Sequence, residues 1–358
     1  MGLEGLKTNS GFIKFPAFFP DATSGFVRAA DSIDLKEAKI DGVVVNAYQF
    51  LKLSLVKTIQ EAGGIHNYMK WDRPIISDSG GFQVLSIIRR NPKLGTIHGD
   101  KIIFHLEREK LILTPEKCIQ TQLRLGSDIV MCLDDCTSHE DLPEEQEKSV
   151  ERTISWAKKC RAEFDKLTKN KKQKPLIFGI VQGGNSKELR KHCADELVKI
   201  GFDGFSFGGW PIDEGKNLLT EILKYTAELI PSNLPKYAMG VGKPENIVEC
   251  FKMGYNLFDC VIPTREARNK KLYVFKGEPK EIDVFSGDFY ENIYTYSKRH
   301  SVDKNPISKF CDCYTCKNYS LSYIYTLFKM EDGLAARLGT IHNLRFYSQL
   351  MEILRTKK

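Results

Sequence analysis

Three cysteines crowd into Cys311-Asp312-Cys313-Tyr314-Thr315-Cys316, and His342 follows after a gap of 25 residues. Three thiolates and one imidazole make a closed tetrahedral set for a structural zinc ion, with no position left for a catalytic water. An iron–sulfur cluster would need a fourth cysteine in place of the histidine. A second group consists of polar residues set among glycines: Asp78-Ser79-Gly80-Gly81-Phe82-Gln83, Asp134-Asp135-Cys136, Gln182-Gly183-Gly184, Met239-Gly240 and Phe258-Asp259-Cys260. A carboxylate accepts paired N–H bonds from an amidine-like edge, a carboxamide both donates and accepts, and bare glycine backbone can bond a carbonyl. This set suits a flat, neutral, polar heterocycle. Phe82 and Met239 would sandwich its faces, and one Asp is left over to attack or to move protons. Arg265 and Arg268 follow Asp259 by six and nine residues. Arginine binds phosphate bidentately, so the pair suits a phosphodiester substrate.

These residues need elements that carry them to one face. Short β-branched and aromatic runs, each closed by Gly, Pro, Asp or Asn, alternate with helix-period segments over the first three quarters of the chain. The runs are 15–20, 42–48, 74–79, 128–134, 176–182, 204–208, 236–241 and 257–262. The helical segments are 51–62, 115–125, 144–167, 187–200, 218–229 and 244–253. Strands alternating with helices imply right-handed βαβ units and a parallel sheet, and eight units close a (β/α)8 TIM barrel; an open doubly wound sheet is the alternative. The active site of such a barrel lies at the C-terminal ends of its strands, where Asp78, Asp134, Gln182, Met239 and Asp259 fall. Taken singly, each Asp reads equally well as a helix cap or turn residue, but three at strand ends point to a site.

Two segments interrupt the alternation. Residues 84–113, with IIFHLEREKLIL, read as a β-hairpin inserted after the third strand, and residues 271–285 as a second hairpin after the eighth. From about Ser286 the sequence turns polar and aromatic, then reaches the cysteine cluster and a helical end. The expected division is a catalytic barrel over 1–285 and a zinc-binding subdomain over 286–358, its C-terminal helix packed on the barrel.

The charge of 53 Lys and Arg against 46 Asp and Glu leaves +7, a mild excess compatible with RNA binding but not a polybasic tail. A hydrophobic share of 42% supports a large core and excludes a disordered chain. Seven of the ten cysteines are scattered, which excludes a disulfide scaffold. No run approaches the ~20 apolar residues of a membrane span, and the start MGLEGLKTNSGF lacks a signal-peptide layout, so a cytoplasmic location is expected.

The segments SDSGGFQV, LGSDIVMCLDDCT, FGIVQGG, YAMGVGKPENIVE, FDCVIPTREARN, CDCYTCKNYS and TIHNLRFY, in that order along nearly the whole chain, resemble the bacterial-type tRNA-guanine transglycosylases (queuine tRNA-ribosyltransferases). The resemblance implies exchange of the wobble guanine of tRNAs with GUN anticodons for a 7-deazaguanine, preQ1 or queuine, in queuosine biosynthesis or salvage. It implies Asp259 as the nucleophile that forms a covalent bond to the ribose, and Asp78 as the general acid/base. It further implies Asp134, Gln182 and the Gly209 backbone as base readers, Phe82 and Met239 as the stacking pair, and Arg265 and Arg268 as anticodon-loop contacts. Cys311, Cys313, Cys316 and His342 would hold one structural Zn2+ per chain, and the enzyme would be a homodimer.

Two segments depart from the family pattern. Trp210-Pro211-Ile212-Asp213 follows Gly208-Gly209 where the family usually has Leu, a small residue, Val or Gly, and Gly; Asn46-Ala47-Tyr48-Gln49 replaces Asn-Thr-Phe/Tyr-His. Both border the base pocket, so Trp210 is expected to reshape it around the 7-substituent of the incoming base. Competing readings are a paralogue acting on DNA, a non-catalytic tRNA-binding partner subunit, which could dispense with Asp78 and Asp259, and a zinc hydrolase, which would need an open metal position.

Overall fold

The computed structural model describes residues 3–107, 109–138 and 141–357. Eight parallel strands form one sheet: β1 Ala17–Pro20, β2 Val43–Asn46, β3 Ile75–Asp78, β4 Ile129–Met131, β5 Leu176–Val181, β6 Gly204–Phe207, β7 Lys236–Ala238 and β8 Leu257–Cys260. Each falls inside one of the eight runs expected from the sequence. The spatial order is β1-β8-β7-β6-β5-β4-β3-β2. The two ends meet through a parallel bridge between Asp21 and Val44, with the Ala22 N–H donating to the Val44 carbonyl at 2.7 Å. The sheet is therefore the closed barrel of the (β/α)8 class, not an open doubly wound sheet.

Side chains alternate across a strand, so one parity of each strand must fill the barrel. Ala17, Phe19, Val44, Ile76, Ile129, Met131, Phe178, Ile180, Tyr237 and Leu257 form that interior cluster. An N-terminal hairpin, Gly5–Thr8 with Gly11–Lys14, adds Leu6 and Ile13 to the cluster, covering the end of the barrel opposite the carboxylates. The sequence reading missed this hairpin. Carrying the inward parity one step past the strands brings Asp21, Asn46, Asp78, Gln182, Gly208, Met239 and Asp259 to the other mouth. On β4 the alternation breaks: Leu133 packs outward with Val130 and Cys132.

The helices after the strands are α1 Pro115–Leu125, α2 Pro143–Thr168, α3 Lys187–Ile200, α4 Thr220–Leu229, α5 Pro244–Lys252 and α6 Ile262–Arg268. The start of α1 is written in the sequence: Thr114 accepts from the Lys117 N–H and Pro115 occupies the first turn, where its missing donor costs nothing. The single helix expected at 51–62 is instead two, Ala47–Lys52 and Val56–Glu61. Asn46 caps the first and starts it early, and Ser54 at φ 55° breaks the run.

The first insertion is larger than expected. A π-helical turn, Val84–Arg89, leads into three antiparallel strands, Gly95–Ile97, Ile102–His105 and Lys110–Leu113, the last two being the expected hairpin. In the second, β9 Lys271–Phe275 pairs with β10 Tyr290–Tyr294, with Lys271 opposite Tyr294. The partner strand thus lies beyond 285, in the stretch assigned to the subdomain, and the hairpin crosses the expected boundary at 286. The chain ends in α7 Leu321–Lys329 and α8 Gly333–Thr356. Helix α8 is buried along most of its length, as a helix covered on several sides must be. Its Tyr347 ring sits 4.7 Å from Phe18 on the outer face of β1, and its Phe346 stacks on Phe275 of β9 at 4.2 Å.

Candidate active site

At the barrel mouth Asp78 and Asp134 are buried, Asp259 is half-buried, and the three carboxylates are differently held. Asp259, at the end of β8, accepts the Tyr237 hydroxyl at 2.7 Å and the Gly240 N–H at 3.0 Å, both on Oδ1. Oδ2 is thereby left as the oxygen open to a substrate. Burial pushes Asp259 up to about 6; the Gly240 and Tyr237 donors oppose this and the nearby Asp21 charge adds to it. Asp78 accepts from the Asn46 carboxamide at 2.5 Å. Burial first and the Asp259 charge second push it up to about 7, against the Gly80 and Ser79 N–H groups. These two carboxyls are close enough to feel each other, and their environments set them apart, the pattern expected of an acid and a nucleophile.

Asp134 breaks parity to enter the site, where it takes the Gln182 amide on Oδ2 at 2.7 Å. Burial pushes it up to about 7, the Gln182 bond pulling the other way. Gly81 is required here, since a Cβ would lie 1.8 Å from Asp134 Oδ1. Gly208 is required for the same reason, its Cβ position falling 2.6 Å from Gln182 Nε2. With the amide nitrogen committed to Asp134, the buried Gln182 Oε1 has no protein partner among the described residues. A buried acceptor of this kind asks for a ligand N–H. The neighbouring Asp135 faces away, clasped by Arg89 at 3.1 Å and by Arg152. Arg89 also donates to the Cys136 carbonyl, so it ties the π-helical turn after Phe82 to the end of β4.

Phe82 stacks on Trp210 with ring centroids 5.4 Å apart and an interplanar angle of 21°. Met239 rests on the barrel interior cluster at the end of β7. Gly209 lies between them in sequence, at φ 94°, next to Trp210. Arg265 and Arg268 lie in α6, directly after Asp259. Arg268 feels Arg28 and Arg265 as like charges and Asp21 as an opposite one, and its Nη1 is buried without a partner among the described residues. Sequence reasoning missed Asp21, Tyr237 and Arg28. The first two follow from the inward parity of β1 and β7; Arg28 carries no such signal.

The second site joins a loop to α8. The ligand atoms of Cys311, Cys313, Cys316 and His342 all lie within 4.8 Å of one another, and three of the four residues are buried. Cys316 Sγ and Cys313 Sγ are 3.3 Å and 3.8 Å from His342 Nδ1. A zinc tetrahedron, with bonds of about 2.3 Å to sulfur and about 2.0 Å to nitrogen, has sulfur–nitrogen edges of about 3.5 Å, between those values. His342 Nε2 lies 2.8 Å from the Tyr273 carbonyl, which fixes the proton there and turns the Nδ1 lone pair toward the thiols. The donor set and its outer partner fit a metal ion. Among the described residues, no helix is long and apolar enough to cross a membrane.

The model of the queuine tRNA-ribosyltransferase family matches residues 3–357. A queuine tRNA-ribosyltransferase from Mannheimia succiniciproducens is 40% identical over 346 residues, covering 96% of this chain and 86% of that protein. One from a Thermoanaerobacter species is 41% identical over 352 residues, covering 98% and 88%, and one from Shewanella sediminis is 40% identical over 347 residues, covering 96% and 86%. A barrel mouth of converging carboxylates, a Cys3His cluster and likeness over nearly the whole chain agree: the chain belongs to the queuine tRNA-ribosyltransferase family.

Proposed function

We propose that the protein is a tRNA-guanine transglycosylase that replaces the wobble guanine of GUN-anticodon tRNAs with a 7-deazaguanine, preQ1 or queuine. The observation that carries this reading is the pairing of Asp259, whose Oδ2 is open, with Asp78, a carboxyl held near neutrality. Asp259 Oδ2 attacks C1′ of the ribose through an oxocarbenium-like transition state, and the C1′–N9 bond breaks. Asp78 gives a proton to the departing guanine, then takes one from the incoming base, whose nitrogen displaces Asp259 and restores a glycosidic bond. Atoms balance with no redox partner: one base leaves and one enters.

Asp134, Gln182 and the Gly209 N–H read the edge of the base, splayed out of the anticodon loop as single-stranded RNA bases commonly are. Phe82 and Met239 hold its faces. Arg265 and Arg268 meet the flanking phosphates. Cys311, Cys313, Cys316 and His342 hold one structural Zn2+, which supplies no chemistry to the exchange and pins α8 to the preceding loop. The working unit is a cytoplasmic homodimer, and the chain divides into a catalytic barrel and a C-terminal zinc subdomain, the expected boundary at 286 falling inside the β9–β10 hairpin that joins them.

The test is uptake of radiolabelled guanine into unmodified tRNA bearing a wobble guanine, beside Asp259→Asn, followed by a chase with preQ1 or queuine. Uptake by wild type alone, with a covalent protein–RNA species on a denaturing gel, is expected. The base that chases better is the physiological one. A folded, zinc-loaded wild type that leaves tRNA unlabelled but labels DNA would move the activity to DNA, and one that labels neither would leave a tRNA-binding subunit.

A further inference from the structure

Arg190 sits in the first turn of α3, on the face that buries Cys193, Ala194 and Leu197, and is 1% exposed. Its guanidinium donates Nε to the Gly184 carbonyl at 2.9 Å, Nη1 to Val181 at 2.6 Å and Nη2 to Gly208 at 2.9 Å. The face of Phe207 lies 4.1 Å away. Among the described residues no carboxylate pairs with it. Burial lowers its pKa to about 10, so it remains a cation at neutral pH. A buried cation without an anion is costly, and a core can dispense with one at such a position unless its donors are needed.

What those donors do follows from peptide geometry. In a trans peptide the C=O and the following N–H point in opposite directions. A Gly208 carbonyl drawn to Arg190 therefore turns the Gly209 N–H away from the guanidinium. The Gly209 N–H and the Gln182 side chain then lie together beside Cys136 and Asp134, on the side of the peptide away from the guanidinium. The Val181 carbonyl is held between Arg190 and the Gly208 N–H, and Gly184 closes the turn that follows Gln182. One planar group thus locks the β5 and β6 ends that carry Gln182 and Gly209.

We propose that Arg190 is a positioning residue for base recognition, a buried guanidinium that aims the Gly209 N–H and the Gln182 carboxamide at the carbonyl-bearing edge of the base. This rests on the transglycosylase reading above. Lysine carries a charge but only one donor centre and cannot span three carbonyls, so Arg190→Lys separates geometry from charge.

The experiment measures guanine exchange into unmodified tRNA by the full-length wild type and Arg190→Lys, with 2-aminopurine, which lacks the carbonyl oxygen, as competitor. Misaiming one hydrogen bond is worth about tenfold. Arg190→Lys is expected to raise the KM for guanine about tenfold, to leave the KM for tRNA within about twofold, and to shrink the preference for guanine over 2-aminopurine by the same factor. An unchanged preference, whether or not kcat and melting temperature fall, would overturn the inference, because a merely structural role weakens all bases alike. If Arg190→Lys does not fold, Phe207→Leu, which removes the ring under the guanidinium, is expected to reduce the same preference about threefold, and an unchanged preference there overturns the inference too. A wild type that exchanges no base would instead overturn the transglycosylase reading.

Discussion

In the cysteine cluster four donor atoms converge within 4.8 Å; at the barrel mouth three carboxylates are kept apart by Tyr237, Asn46 and Gln182. Both regions bury like groups against their electrostatic preference. In the first, one cation at the centre would relieve the repulsion among thiolates, and burial would become a source of stability once that cation binds. In the second, no single ion relieves it. Each acid has its own neutral donors, and two of the three are pushed up to about 7, so the folded mouth prefers them protonated. On the proposed function the first arrangement holds the fold and the second does chemistry, and the difference lies in where the donors point rather than in residue type.

Removing the metal tests the first half of this contrast and carries the largest expected effect. Structural zinc sites in small domains are worth on the order of 10 kcal/mol. Cys316→Ser, or treatment with a strong chelator, is expected to lower the melting temperature by more than 10 degrees, an estimate scaled from such sites. It should expose the α8 amides around His342 to hydrogen exchange while those of β2 to β5 stay protected. Unchanged melting would make the two clusters the same in kind.

The mouth should respond in the opposite direction. Asp78→Asn is expected to lower kcat by about 10²- to 10⁴-fold, the usual worth of a general acid/base. It should also stabilise the protein. A carboxyl whose folded pKa is raised to about 7 favours folding below the ordinary carboxylate range and loses that advantage as pH rises toward 7. The gain in melting temperature over wild type should therefore be larger at pH 7.5 than at pH 5. A variant less stable than wild type at pH 7.5 would show that Asp78 holds the fold rather than opposing it.

The pH profile sharpens the division of labour within the mouth, with a smaller effect. With Asp259 as the proposed nucleophile and Asp78 as the proposed acid, exchange would require the first ionised and the second protonated, so kcat/KM should be bell-shaped, with limbs near 6 and near 7. Asp259 is faced by Tyr237 and Gly240 as donors and by Asp21 and Asp78 as charges. Asp21→Asn removes a like charge and is expected to move the acidic limb down by about half a unit while the basic limb stays, on the scale of charge pairs at partly screened sites. An unmoved acidic limb would remove Asp21 from the set.

How much of this was legible follows the same line. The metal cluster could be read from spacing because its ligands are defined by type. The eight strands were legible because a buried parallel strand is a short apolar run with a glycine or Asp at its end. Asp78 and Asp259 obey the inward parity of their strands. Asp134 does not: continuing from Met131, alternation selects Leu133, and only the break after β4 turns the Asp inward. Asn46 sat in view beside the departures at Ala47 and Gln49, yet its role of capping a helix while bonding Asp78 requires the β2–β3 register. The burial of Arg190 follows from its spacing to Cys193, Ala194 and Leu197, but its three partners were illegible, because backbone carbonyls at the ends of β5 and β6 leave no mark in sequence. The second hairpin was placed too early because its partner strand begins only after a 3-10 turn at Val284–Ser286.

Trp210 bears on which base the mouth prefers. It stacks on Phe82 and is still 38% exposed, so on the proposed binding of the base its ring would extend the aromatic wall of the pocket outward. Pro211 follows it, and the Asp213 and Asn217 backbones pair across the loop, which limits how far the ring can swing. An aromatic pair of this geometry is worth about 0.5–1.5 kcal/mol, so the substitution should move affinities about two- to tenfold. Guanine, with nothing at the 7-position, reaches less of that wall than preQ1, and queuine reaches more. Trp210→Leu is therefore expected to leave the KM for guanine within about twofold and to change the ratio of kcat/KM for preQ1 and queuine by up to about tenfold. Equal kinetics with both bases in wild type and variant would make the ring a support for Phe82 alone, and the mouth would then owe its choice of base to Gln182, Gly209 and the guanidinium behind them.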